Sequence, residues 1–200
     1  DESYYRGDVK RGLRNNDGTG VLVGVTQVGS VQGYLMQDGQ RIPIPGKLYY
    51  RGIELTDIVE AHRSAGTFGF EEVAYLLLMV YLPTRSELEH FNGIMNRARK
   101  LPDGFTEGMI MRHPSSNIMN ELERSVLSLY SYDPDPDNTE IENILKQSIE
   151  LIGYFPSIVA NAYAVKRHYF DNDSLHIHFP EANLSTAENF LRMIRPDKSY

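Results

Sequence analysis

Two hundred residues, 41% hydrophobic and 24% charged with a net charge of -7, suffice for one sizeable core and have the balance of an ordinary soluble globular protein. The acidic balance argues against a nucleic-acid partner, which would need a basic surface. With no cysteine in the chain, disulfides, thiolate zinc sites and a cysteine nucleophile are excluded, and a reducing cytoplasm fits.

Residues 1–20 are polar and glycine-bearing, and Arg11 to Gly18 gathers turn formers into a loop. Residues 21–50 are the strand-like part. Val21, Val23 and Val25 alternate with small residues, and Val31, Tyr34 and Met36 lead into Asp38-Gly39, a hairpin turn signal. Ile42 and Ile44 face one way, and Leu48 and Tyr50 follow Pro45-Gly46. The alternation is short and interrupted, so small β-ribbons are expected rather than a full sheet.

Helices are expected over residues 53–200. Ile53 to Ser64 carries Leu55, Ile58, Val59 and His62 at helical spacing. Glu71 to Tyr81 is apolar on almost every side and reads as a buried helix stopped by Pro83. Its run from Val73 to Leu82 is the longest apolar stretch, too short to cross a bilayer, so no membrane partner is expected. No signal peptide is visible. Thr84 and Glu87 make a capping box for a helix through about Arg99, with Glu87, Glu89, Arg97 and Arg99 on its exposed side. Pro102 and Gly104 break the chain before a short helical turn at Thr106 to Met111.

Asn117 to Ser131 places Ile118, Leu122, Val126 and Leu129 on one stripe. Asp133 to Asp137 is a stiff acidic loop. The next helix starts near Asn138 or Thr139, with Ile141, Leu145, Ser148, Ile149 and Ile152 inward. A bend is expected at Gly153 and Pro156, then helix again to Tyr169, where Ala160, Ala162 and Ala164 allow close approach. After a polar loop at 171–184, Ser185 and Glu188 cap a short helix ending near Ile194. Ser199 could cap one more. A start at Asp1 and a stop at Tyr200 read as cuts.

The residues assemble no self-contained active site. His176 and His178 would face one side of an extended segment, but no third metal ligand stands at a recognisable spacing, and two solvated loop histidines are the plainer reading. His113 suits local hydrogen bonding, His62 packing, and His90 and His168 an exposed surface. Nucleophile-elbow, phosphate-loop and dinucleotide motifs are missing, and Gly18-Thr19-Gly20 is a plain turn. Asp133, Asp135 and Asp137 lack the glycine of a calcium loop. No metal site follows.

Five stretches in order resemble citrate synthase: Arg11-Gly12-Leu13-Arg14; Leu48-Tyr49-Tyr50-Arg51-Gly52-Ile53 with Leu55; Phe70 to Leu77 with Leu82-Pro83-Thr84; Phe155 to Ala160; and Ala187 to Met193. Between the first two, Val21 to Lys47 is longer than the family pattern and reads as an insertion in the β-ribbon. The resemblance implies an all-α, multi-helical fold with a small N-terminal β-ribbon: the first part of the large domain, without the small domain.

The family condenses acetyl-CoA with oxaloacetate and water to give citrate and CoA. The resemblance thus implies a CoA thioester as substrate and no bound cofactor. The family's catalytic motifs, Leu-His-x-x-His, His-Gly-x-Ala-Asn and Gly-x-Gly-His, do not occur here, so no catalytic residue carries over and the chain alone is expected to be inactive. One binding residue carries over: Arg14 matches an arginine that reaches a CoA phosphate in the partner subunit's site, although Arg11 is an alternative match and a surface loop arginine is the plain one. The family's homodimer implies an interface through about 116–131 and 138–167, whose faces suit internal packing equally. A 2-methylcitrate synthase using propionyl-CoA and a non-catalytic helical module for dimerisation or regulation remain alternatives.

Overall fold

The computed structural model describes residues 12–15, 19–20 and 26–198. Arg11, Asn16 to Gly18, Val21, Val23, Val25 and Ser199 lie outside the described residues. The chain divides into two compact units, residues 1–54 and 55–200. The change comes where alternating residues give way to helical spacing.

In the first unit, β1 (Gly29–Gln37) and β2 (Gln40–Tyr50) pair antiparallel, and a short β3 (Ile53–Glu54) pairs with the end of β2. Asp38 and Gly39 join the first two strands with φ of 50° and 75°, the doubly positive turn that matches strand twist. The expected β-ribbon is this hairpin of two strands with the short β3 beside it. Pro43 and Pro45 are tolerated because β3 pairs only with Tyr49 and Tyr50, so the outer side of β2 needs no N–H there. A register irregularity near Gln32 and Tyr34 absorbs the extra residues of β2.

The second unit is helical. Its elements are α1 (Leu55–Ala65), α2 (Phe70–Met79), α3 (Arg85–Ala98), a π-helical turn (Thr106–Met111), α4 (Ile118–Leu129), α5 (Ile141–Phe170) and α6 (Thr186–Ile194). The first helix starts two residues later than its apolar spacing suggests, since Ile53 and Glu54 are taken by the strand ladder. Both capping boxes form, Thr84 with Glu87 and Ser185 with Glu188. Asn117 caps α4 by accepting from the Asn120 N–H at 3.3 Å.

The central element is α5, a single 30-residue helix that runs through Pro156. The two helical stretches expected on either side of Gly153 and Pro156 are one continuous helix. Proline removes one backbone hydrogen bond, but Ile158, Ala162 and Val165 beyond it are 0–3% exposed, and their burial keeps the segment helical. On one side of α5, Tyr75, Phe91, Met95 and Ile149 form a core with α2 and α3. On the other, Phe105, Ile110 and Leu122 close around Ile158 and Val165. Gly153 is where α3 comes closest: a Cβ there would lie 2.6 Å from the Ala98 carbonyl oxygen. Ile141, expected inward, is 79% exposed at the first turn of α5.

Candidate functional site

The expected ligand Arg14 lies in the first unit, exposed, bridged antiparallel to Gly20. Asn15 shapes this turn. Its backbone N–H donates to the Thr19 carbonyl at 2.7 Å, and its side-chain amide donates to the Thr19 hydroxyl at 2.8 Å and the Gly20 carbonyl at 3.2 Å. The result is a tied loop end carrying a guanidinium.

The histidines do not converge. His176 and His178 have ring centroids 6.4 Å apart, and Nε2 of His178 lies 3.1 Å from the Pro196 carbonyl oxygen. No group of three or more His, Cys, Asp or Glu able to hold a metal occurs among the described residues. His168 faces the Asp173 carbonyl at 2.9 Å. His90 and His113 are exposed. His62 is half-buried, with Nδ1 2.8 Å from the Thr67 hydroxyl and Nε2 3.5 Å from a Glu72 oxygen. This chain of three groups pins the α1–α2 corner: the ring presses on Gly69, where a Cβ would meet it at 2.5 Å.

The strongest electrostatic feature is one that sequence reading placed on an exposed side. Arg99 is 4% exposed and Glu71 5%. The Arg99 Nη2 stands 2.8 Å from Glu71 Oε1 and donates to the Thr186 hydroxyl at 3.0 Å, while Nη1 donates to the Leu184 carbonyl at 2.5 Å and to Asn96. Glu71 also accepts from the Thr186 backbone N–H at 2.7 Å. Ser157 on α5 donates to the Arg99 carbonyl at 3.1 Å. Four helices thus meet on one ion pair. Burial pulls the Arg99 pKa down, opposed by the Glu71 carboxylate. A signal existed in the sequence: a carboxylate at the start of a helix apolar all round needs a buried partner.

Beside this pair a cleft of about 490 Å³ opens among Asn96, Arg99, Thr106, Asn161, His178 and Glu181. Asn161 donates to the Thr106 hydroxyl at 3.0 Å, and Glu181 is salt-bridged to Arg192, so these groups serve the fold. A second groove, also about 490 Å³, is apolar and lined by Phe70, Ile152, Phe155, Val159, Ala187 and Phe190. On α4 and α5, Met119, Leu127, Ile141 and Ile144 are 45–79% exposed. Against them stands one buried acid on α4, Glu121, 2% exposed, whose pKa burial raises and Arg124 opposes. The second unit therefore offers buried scaffolding and uncovered apolar faces. Among its described residues no nucleophile, acid and base are aimed at one point.

A family model described as "Citrate synthase, C-terminal domain" matches residues 16–200. The 2-methylcitrate synthase 1 of Corynebacterium glutamicum is 29% identical over 153 residues, 76% of this chain and 37% of its own length. The citrate synthase of Acidithiobacillus ferridurans is 31% identical over 163 residues, 78% of this chain and 39% of its own. In fold, the crystal structure of citrate synthase from Pyrobaculum aerophilum matches with a TM-score of 0.69 at 25% identity, covering 91% of this chain and 44% of that one. The chain thus spans less than half the length of each.

Proposed function

Because this chain belongs to the citrate synthase family, we propose that it forms the helical scaffold of an enzyme that condenses acetyl-CoA with oxaloacetate and water, releasing citrate and CoA. The observation that carries this reading is the family match across residues 16–200, supported by a helical fold around α5 like that of a known citrate synthase. The acid–base groups of the reaction belong to motifs that do not occur in these 200 residues. This polypeptide by itself is therefore expected to be inactive.

In this reading Arg14 contributes a guanidinium to a CoA phosphate of a neighbouring subunit. Its exposed, tied loop suits that role, since a planar fork can grip phosphate oxygens in pairs. The subunits associate through helices at 116–131 and 138–167. Support comes from Met119 and Leu127 on α4 and from Ile141 and Ile144 on α5, apolar groups left open to solvent. No helix among the described residues is long and apolar enough to cross a membrane. The compartment proposed is the cytoplasm, where a cysteine-free chain meets no requirement for oxidation.

Likeness to a 2-methylcitrate synthase favours a second reading in which propionyl-CoA replaces acetyl-CoA. One experiment addresses both. Free CoA release by the whole protein containing this chain is followed with oxaloacetate and either thioester. The condensation reading expects turnover, with Arg14→Ala raising KM for the acyl-CoA about tenfold and leaving KM for oxaloacetate unchanged. No CoA release with either thioester overturns the reading. Faster turnover of propionyl-CoA selects the second, and an unchanged acyl-CoA KM removes Arg14 from the site.

A further inference from the structure

After α4 the chain makes a 3-10 turn (Tyr130–Tyr132), and the acidic loop that follows is tied to α5 through Gln147. Between these parts lies a cleft of about 260 Å³, and its lining includes Tyr130, Tyr132, Asp133, Glu150 and Tyr154. Its walls are held in place by further contacts. The Tyr130 hydroxyl donates to Asp137 at 2.8 Å, and the Tyr132 ring meets the fully buried Phe105 edge to face, with centroids 5.4 Å apart. One Asp133 oxygen accepts from the Gln147 amide at 2.7 Å and the other from the Asp135 N–H at 3.0 Å. Tyr154 and Glu150 stand one turn apart on α5. A binding site gains from walls fixed in advance, because little freedom is left to lose when a ligand arrives.

The lining holds two carboxylates and no lysine, arginine or histidine. Lys146 stands 4.0 Å from Glu150 and lines the neighbouring groove instead. The Asp135 N–H and then the Gln147 amide hold the Asp133 carboxyl below its ordinary pKa, so it stays charged. Burial first, then Glu150 and Asp133, raise the Tyr154 phenol, so it stays neutral. The cleft is therefore negative and aromatic. A divalent metal would need several free carboxylate oxygens, but both Asp133 oxygens are already engaged, and no metal-holding group of three or more His, Cys, Asp or Glu occurs among the described residues. Ring faces with diffuse negative charge suit a weakly hydrated organic cation. We propose that this cleft binds a quaternary ammonium group against Tyr130, Tyr132 and Tyr154, with Asp133 and Glu150 as its counter-charge. Tyr130 and Tyr132 are 56% and 46% exposed, so a solute can reach them. The volume lies below the roughly 300–1,000 Å³ of pockets for larger ligands, which fits a single small head group. This site is independent of the condensation reaction and of Arg14.

Choline chloride is the probe. It is titrated into the whole protein containing this chain, with ionic strength held constant by sodium chloride, and binding is followed by saturation-transfer NMR on its methyl signal. Saturable binding is expected with a Kd on the order of 1 mM, as a few contacts to one small head group allow. Dimethylbutanol, in which a carbon replaces the charged nitrogen, should bind about tenfold more weakly. Tyr154→Leu removes the ring but keeps an apolar side chain, and should weaken choline about tenfold, whereas Tyr154→Phe keeps the ring and should stay within about threefold. Glu150→Gln should weaken choline and Lys146→Gln should tighten it, each by about twofold to threefold. Both of these side chains are at least one-third exposed, so the pair still decides the matter if Tyr154→Leu fails to fold. No saturable binding overturns the proposal. Equal binding of choline and dimethylbutanol does so as well, since it would show an apolar cleft without cation recognition. Choline binding that ignores Tyr154→Leu, or that fails to move in opposite directions in Glu150→Gln and Lys146→Gln, places the cation elsewhere and refutes the site.

Discussion

Removing Glu71 tests whether one buried ion pair holds the second unit together. In Glu71→Ala the Arg99 guanidinium loses the carboxylate 2.8 Å away, and the Thr186 N–H loses an acceptor at 2.7 Å. Both side chains are about 95% buried, so water does not readily replace the lost partner. An uncompensated buried charge costs about 3–5 kcal/mol, and the orphaned N–H accounts for about 1–3 kcal/mol of it. Against a total stability of about 5–15 kcal/mol for a domain of ordinary size, the loss is large. Urea unfolding at pH 7, followed by far-UV circular dichroism, reads it as a fall in midpoint with an unchanged slope. The double variant Glu71→Met/Arg99→Met should lose less than the sum of its singles, because neither charge is stranded. Raising salt from about 0.1 to about 1 M, which shortens the screening length from about 10 to about 3 Å, should leave the wild-type midpoint unmoved by this pair. A Glu71→Ala loss below about 1 kcal/mol would refute the claim that α2, α3 and α6 are tied through Arg99.

Two further outcomes follow from packing and burial. Gly153→Ala gains up to about 1 kcal/mol in helix propensity, but its Cβ would meet Ala98 backbone atoms at 2.6 and 2.7 Å. Overpacking of about 1–3 kcal/mol should therefore win, seen as a lower melting temperature; a higher one would mean that α3 and α5 are not in close contact. Glu121 concerns pH. Its folded pKa is raised above 4.5 by burial, so the folded state holds its proton where the unfolded state has released it. Stability through this group is greatest below pH 4.5 and falls as pH rises to the raised folded value. Glu121→Gln should abolish that fall in a series of urea midpoints from pH 4 to 8, and an identical pH profile in the variant would exclude Glu121 as its source.

What could be read from sequence depended on how far apart the interacting groups stand. Capping boxes span four residues, and both formed as their spacing suggested: Thr84 accepts from the Glu87 N–H and Ser185 from the Glu188 N–H. The α4 stripe was equally legible, with Leu122 buried and Ile118 and Leu129 against the same core. Failures came where distant groups decide. Arg99 looked like one more solvated charge on α3, because its partner lies 28 residues away on another helix. Pro156 reads as a bend between two helical stretches, because the core that holds α5 as one helix past it is assembled from the π-helical turn and α4. The place of Pro43 and Pro45 inside β2 is likewise decided by pairing, which leaves their side of the strand open.

The family resemblance was legible for a reason that also limits it: its motif residues do folding work. Arg51 and Gly52 take φ of 49° and 85° in the turn that joins β2 to β3, with the Arg51 N–H donating to Val28. Leu82-Pro83-Thr84 delivers the α3 cap. Phe155 to Ala160 brings Ser157 to the Arg99 carbonyl and buries Ile158 completely. In Ala187 to Met193, Glu188 completes a cap, Asn189 donates to the Glu181 and Leu184 carbonyls, and Met193 enters the core. Such residues are fixed by turns, caps and close packing, so they identify a scaffold whatever chemistry it supports. Arg14 stands apart, because it lies exposed on a tied loop rather than in a helix cap or the core. The CoA role proposed for it is read as a change in acyl-CoA affinity, whereas the substitutions at Glu71 and Gly153 are read in the melting temperature.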